Sequence, residues 1–108
     1  MKFKLYEIHN KKGDYYLDAE IDEKGGLMLM GQDIGKAVES VWGDSDLEYN
    51  YYLNPEKTAT FTKLLQEKHG DLPLKDILTT HYCDLGACEA LRKIAEEHGF
   101  EFGFCSYV

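Results

Sequence analysis

A chain of 108 residues with 44% apolar side chains is long enough to close a hydrophobic core and too apolar to stay disordered, so residues 1–108 are expected to form a single domain. Twenty acidic against twelve basic side chains leave a formal net charge of −8, which repels phosphate backbones and anionic headgroups and excludes nucleic acid and membrane surfaces as expected partners. No apolar run spans a bilayer, the N-terminus (Met1-Lys2-Phe3-Lys4-Leu5-Tyr6-Glu7) lacks an apolar signal segment, and the three cysteines are an odd number, which together predict a cytoplasmic protein without a disulfide framework.

Residues 2–9 read as a strand whose apolar phase changes between Phe3, Leu5 and Tyr6, Ile8, the mark of a bulge. A turn cluster, Asn10-Lys11-Lys12-Gly13-Asp14, follows. Tyr15, Leu17, Ala19 and Ile21 then alternate with Tyr16, Asp18, Glu20 and Asp22, the period of a strand with one face buried. Glu23-Lys24-Gly25-Gly26 turns the chain into a third strand beginning Leu27-Met28-Leu29-Met30, and the short turns predict an antiparallel meander.

Asp33 reads as the N-cap of a helix with Ile34, Val38, Val41 and Trp42 on one side and Gly43 as its stop. Beyond Asp44-Ser45-Asp46, the residues Leu47, Tyr49, Tyr51 and Leu53 alternate with Glu48, Asn50 and Tyr52 as a fourth strand. Asn54-Pro55-Glu56 is a helix entry, with Phe61, Leu64, Leu65 and Thr58 on the apolar side and Gly70 as the close. Pro73 opens a shorter helix bearing Leu74, Ile77, Leu78 and His81, and Asp84 caps another with Leu85, Cys88, Leu91, Ile94 and Ala95 inward and Gly99 as the stop. A last strand sets Phe100, Phe102 and Phe104 against Glu101, Gly103, Cys105 and Tyr107. The order βββ-α-β-ααα-β predicts an α+β domain, with an antiparallel sheet of about five strands and helices mainly on one face.

The residues that carry chemistry elsewhere are poorly arranged for it here. His81-x-Cys83-x4-Cys88 has neither of the tight pair spacings that zinc sites use, so no metal and no cofactor is expected. A small enzyme using His81, Cys83 and Asp84 is kept as an alternative, although acids beside a thiol disfavour the thiolate it needs. Asp44-Ser45-Asp46-Leu47-Glu48 lacks the glycine and distal glutamate of a calcium loop, and Gly31-Gln32-Asp33-Ile34-Gly35-Lys36 lacks the ending of a phosphate loop. One pattern stands out: Asp14, Tyr16, Asp18, Glu20 and Asp22 share a strand face that Asp44, Asp46, Glu48 and Tyr52 would enlarge. Acids mixed with exposed tyrosines suit a basic protein partner, the rings supplying rigid contact area and the acids steering the approach.

The stretch Gly31-Gln32-Asp33-Ile34-Gly35-Lys36-Ala37-Val38-Glu39-Ser40-Val41-Trp42-Gly43-Asp44-Ser45-Asp46-Leu47-Glu48-Tyr49 resembles a pattern in small uncharacterised bacterial proteins, a group that brings no catalytic residues with it. In size, charge and α+β make-up the chain is also similar to immunity proteins, which neutralise secreted bacterial toxins. That likeness implies a non-enzymatic inhibitor masking a basic, nuclease-like toxin. The alternative binding expectation is a homodimer joined through a sheet edge or the Tyr51-Tyr52 region.

Overall fold

Alternation with a period of two splits the second strand into an oily side and a polar side, and the rest of the architecture follows from hiding the first. The computed structural model describes residues 1–35 and 46–107. Along them run β1 (Lys2–His9), β2 (Gly13–Ile21), β3 (Leu27–Gly35), β4 (Asp46–Leu53), α1 (Pro55–His69), α2 (Leu74–His81), α3 (Ala87–Glu97) and β5 (Gly103–Tyr107). The five strands stand side by side in chain order, each antiparallel to its neighbours. This is the predicted α+β class, with the three helices linking β4 to β5.

Leu17 and Ala19 of β2, Leu27 and Leu29 of β3, and Leu53 of β4 are fully buried on one face, here called the inner face. Cross-strand register keeps them together, since Leu29 lies opposite Ala19 and Leu27 opposite Leu53. The bulge predicted in β1 lies where the pairing slips between Lys4 and Tyr6. The extra residue lets Leu5 and Tyr6, neighbours in sequence, both reach the core.

Helix α1 begins as its sequence dictates. The Asn54 side chain accepts a hydrogen bond of 2.7 Å from the Lys57 amide, and Pro55 opens the first turn. Thr58 then fastens the helix to the sheet: its buried hydroxyl accepts from the Leu27 amide at 3.0 Å and donates to the Leu53 carbonyl at 3.1 Å. Behind it Phe61 and Leu65 enter the core with Leu74, Ile77 and Leu78 of α2 and Leu91 and Ala95 of α3. Rings of Phe100 and Phe102 meet Phe61 edge-on at 6.1 and 5.5 Å.

Three sequence expectations change. Asp33 does not cap a helix, because β3 continues to Gly35 and Asp33 pairs with Tyr15 on one side and Leu47 on the other. Strand pairing on both sides satisfies the backbone there, so a local capping preference yields to the sheet. Ile34 belongs to the same strand, while Val38, Val41, Trp42 and Gly43 lie outside the described residues. Asp84 opens a turn instead of a helix: its carboxylate accepts from the Gly86 amide at 3.0 Å, α3 starts at Ala87, and Leu85 is half exposed at 50%. The last strand starts at Gly103, with Phe100 and Phe102 packing on the core as part of its approach.

Gly31 is a packing requirement of this sheet. Built with a Cβ, it would run into the Tyr49 ring, since Tyr49 sits opposite and lays its ring across β3. Gly31→Ala is expected to destabilise the fold by about 1–3 kcal/mol through that clash. Most of the loss should vanish in a Tyr49→Ala background, and denaturant melts of the two singles and the double measure it. Simple additivity of the two losses would show that the ring does not need the gap.

Candidate binding surface

The inner face takes α1, α2 and α3, so among the described residues the polar half of the alternation is left facing outward. From register, the outer face carries Lys2, Lys4, Glu7 and His9 on β1, and Asp14, Tyr16, Asp18 and Glu20 on β2. Met28, Met30, Gln32 and Ile34 follow on β3, then Glu48, Asn50 and Tyr52 on β4. None of these side chains is buried.

Six of the predicted surface residues (Asp14, Tyr16, Asp18, Glu20, Glu48 and Tyr52) are thus brought onto one face. Asp46 holds a register position on it, opposite Ile34. Asp22 is spent differently: its carboxylate accepts from the Lys24 amide at 3.0 Å and the Gly26 amide at 2.8 Å, shaping the β2–β3 turn. Asp44 lies outside the described residues.

Charge is unevenly spread across the face. On the β1 margin it is locally paired, with Lys4 Nζ 2.6 Å from Glu7 and the His9 ring between Glu7 at 3.0 Å and Asp14 at 2.8 Å. Hydrogen bonds to Glu7 and Asp14 raise the His9 pKa above its ordinary value. Toward the centre, among the described residues, no cation lies within ion-pair distance of Asp18, Glu20 or Glu48. A shallow depression of about 230 Å³ lies there, lined by Tyr16, Asp18, Met30, Gly31, Gln32, Glu48 and Asn50. Sequence reasoning missed the contribution of Met28 and Met30. Their signal was present in the Leu27-Met28-Leu29-Met30 run, but four apolar residues in a row conceal which two face away from the core.

A second concavity opens on the inner side between α3 and the β4–β5 margin. It holds about 310 Å³, is bounded by Asp33, Tyr49, Leu85, Cys88, Arg92 and Phe104, and adjoins one of about 370 Å³ that shares Arg92 and Phe104. The Arg92 guanidinium stands over the Tyr51 ring, 5.2 Å from its centre, and donates to its hydroxyl at 3.4 Å. Burial pushes the Cys88 thiol up to about 11 and raises the Asp33 carboxyl. A thiol so protonated is a poor nucleophile.

His81, Cys83 and Asp84 each turn to a different partner. The His81 ring stacks on His69, centres 4.0 Å apart, and His69 Nε2 lies 2.8 Å from the Tyr82 hydroxyl. Cys83 is exposed and directs its Sγ at the Thr80 carbonyl, 3.9 Å away, while Asp84 holds the Gly86 amide. Among the described residues no hydrogen bond joins the three, and no group of three His, Cys, Asp or Glu side chains could hold a metal ion. Among them, too, no helix is long and apolar enough to cross a membrane.

Burial orders the cysteines by reactivity. Iodoacetamide at mildly alkaline pH should label exposed Cys83 and Cys105 first and Cys88 on the order of tenfold or more slowly, followed by peptide mass spectrometry. Early labelling of Cys88 would mean that the α3 margin opens freely.

Comparison of the chain with protein families, with curated proteins and with solved structures gives no match.

Proposed function

We propose that this chain is a non-enzymatic cytoplasmic binding protein that takes a basic protein on its outer sheet face, in the manner of an immunity-type inhibitor covering the cationic groove of a nuclease-like toxin. The observation that carries the reading is the sharing of one sheet face, opposite α1, α2 and α3, by Asp18, Glu20, Glu48, Tyr16 and Tyr52. Among the described residues Asp18, Glu20 and Glu48 have no cation within ion-pair distance, so much of their field stays available to an incoming one, Lys4 opposite Asp18 taking a share of it. The tyrosines add contact area that costs little side-chain entropy when it is fixed. The net charge of −8 draws a cationic partner from a distance, and the position of the acids decides how it lands.

The test separates position from net charge. Immobilised protein should retain basic proteins at low salt and release them as salt rises. Asp18→Lys with Glu20→Lys should weaken retention by about tenfold or more. Glu67→Lys with Asp71→Lys, the same change in net charge on exposed positions of α1 and the segment after it, should weaken it far less. Equal loss in both pairs, or none in either, would remove the outer face from the proposal.

A homodimer is the second reading, and one observation favours it. Among the described residues β5 pairs only with β4, and Phe104 is 59% exposed beside that open edge. Light scattering at high protein concentration should then show twice the chain mass, reduced to one by Phe104→Lys. A monomer throughout would end this reading.

A further inference from the structure

We infer that the part of the partner received by the outer face is an amphipathic basic helix lying along β3. This rests on the basic-partner reading and adds the shape and chemistry of what is bound. The rows of the face are the starting point. Met28 stands between Glu20 and Tyr52, Met30 between Asp18 and Asn50, and Gln32 between Tyr16 and Glu48. A seam led by Met28 and Met30, and apolar except at Gln32, thus runs down the middle strand with polar and acidic rows on both sides.

Dimensions then select the occupant. Neighbouring strands lie about 4.7–4.9 Å apart, so the rows on β2 and β4 are separated by roughly 9.5 Å across β3. A helix with its side chains is about 10–12 Å wide, enough to rest on the seam and reach both rows. From Met28 to Ile34 the seam is about 20 Å long at about 3.3 Å per residue, the length of roughly thirteen helical residues. Asp18 and Glu20, two residues apart on β2, are about 7 Å from one another, close to the 5–6 Å between basic side chains four apart on a helix.

Other occupants fit less well. An added strand has nowhere to bond on this face, because β2, β3 and β4 already pair with each other. A disordered lysine-rich tail would satisfy the acids and leave the methionines in water. A helix hides its own backbone and offers an apolar stripe, and the flexible thioethers of Met28 and Met30 adapt to such a stripe. On the far side of β2, Lys2 and Lys4 repel a basic segment and confine it between β2 and β4.

The probe is a designed pair of lysine–leucine peptides of about fourteen residues, matching the seam. One places its leucines on a single helical face, and the other has the same composition with the leucines spread evenly. Binding is followed by fluorescence anisotropy and by methyl NMR of methionine-labelled protein. The amphipathic peptide should bind about tenfold or more tightly than the even one, shift the Met28 and Met30 methyls, and leave the Met1 methyl in place. Met28→Ser with Met30→Ser should remove most of the difference and keep the salt-sensitive binding of the even peptide. The wild-type methyl shifts stand as evidence even if that variant folds poorly. Equal binding of both peptides, failure of both to bind, or binding without change at Met28 and Met30 would overturn the helix. Equal binding that is still lost in Asp18→Lys with Glu20→Lys would overturn the helix alone. Binding indifferent to those two reversals would count against the basic-partner reading itself.

Discussion

Leu17, Ala19, Leu27, Leu29 and Leu53 must all leave water, and a pleated sheet can offer them only one of its two faces. Everything else in the molecule accommodates that constraint. Helices α1, α2 and α3 are spent on the same side, where Phe61, Leu65, Ile77, Leu78, Leu91 and Ala95 complete a single apolar cluster. The two hydrogen bonds of Thr58 set where that helical layer begins, since they tie the first turn of α1 to the start of β3 and the end of β4. With α1, α2 and α3 committed to one side, the opposite side chains of the same strands meet no helix among the described residues.

The outer face is therefore a by-product of core formation in its existence, but its composition is not dictated by the core. A solvated sheet face needs only polar side chains. This one sets methionines at its centre, leaves acids without ion pairs among the described residues beside them, and keeps its lysines on β1. Apolar atoms at the centre and charge at the margin repeat the usual layout of protein interfaces, where the middle is desolvated and the rim stays wet. The histidine on β1 supports the same division: its bonds to Glu7 and Asp14 hold charge locally on that margin.

On the inner side, Gly31 and Tyr49 show how little slack the sheet has. The ring crosses β3 through the space that a missing side chain leaves, and near it Asp33 and Cys88 are sufficiently buried for their charged forms to be disfavoured. Among the described residues that margin brings together Asp33, Cys88 and Arg92 around its concavity. His69 and His81 stack with each other at the ends of α1 and α2, and burial favours the protonated form of the Cys88 thiol.

By itself the amino-acid sequence determined the α+β class, the meander, the bulge in β1, the Asn54-Pro55 entry of α1 and the outward set of Asp18, Glu20 and Glu48. Each of these rests on local period or local backbone chemistry, which a few neighbouring residues decide. Tertiary structure alone decided that Asp33 joins a strand, that Asp22 serves a turn, that Leu85 stays half exposed, and that Met28 and Met30 lie between the acidic rows. Those outcomes depend on which strand lies beside which, and pairing between residues far apart in the chain overrides the preference of any one of them.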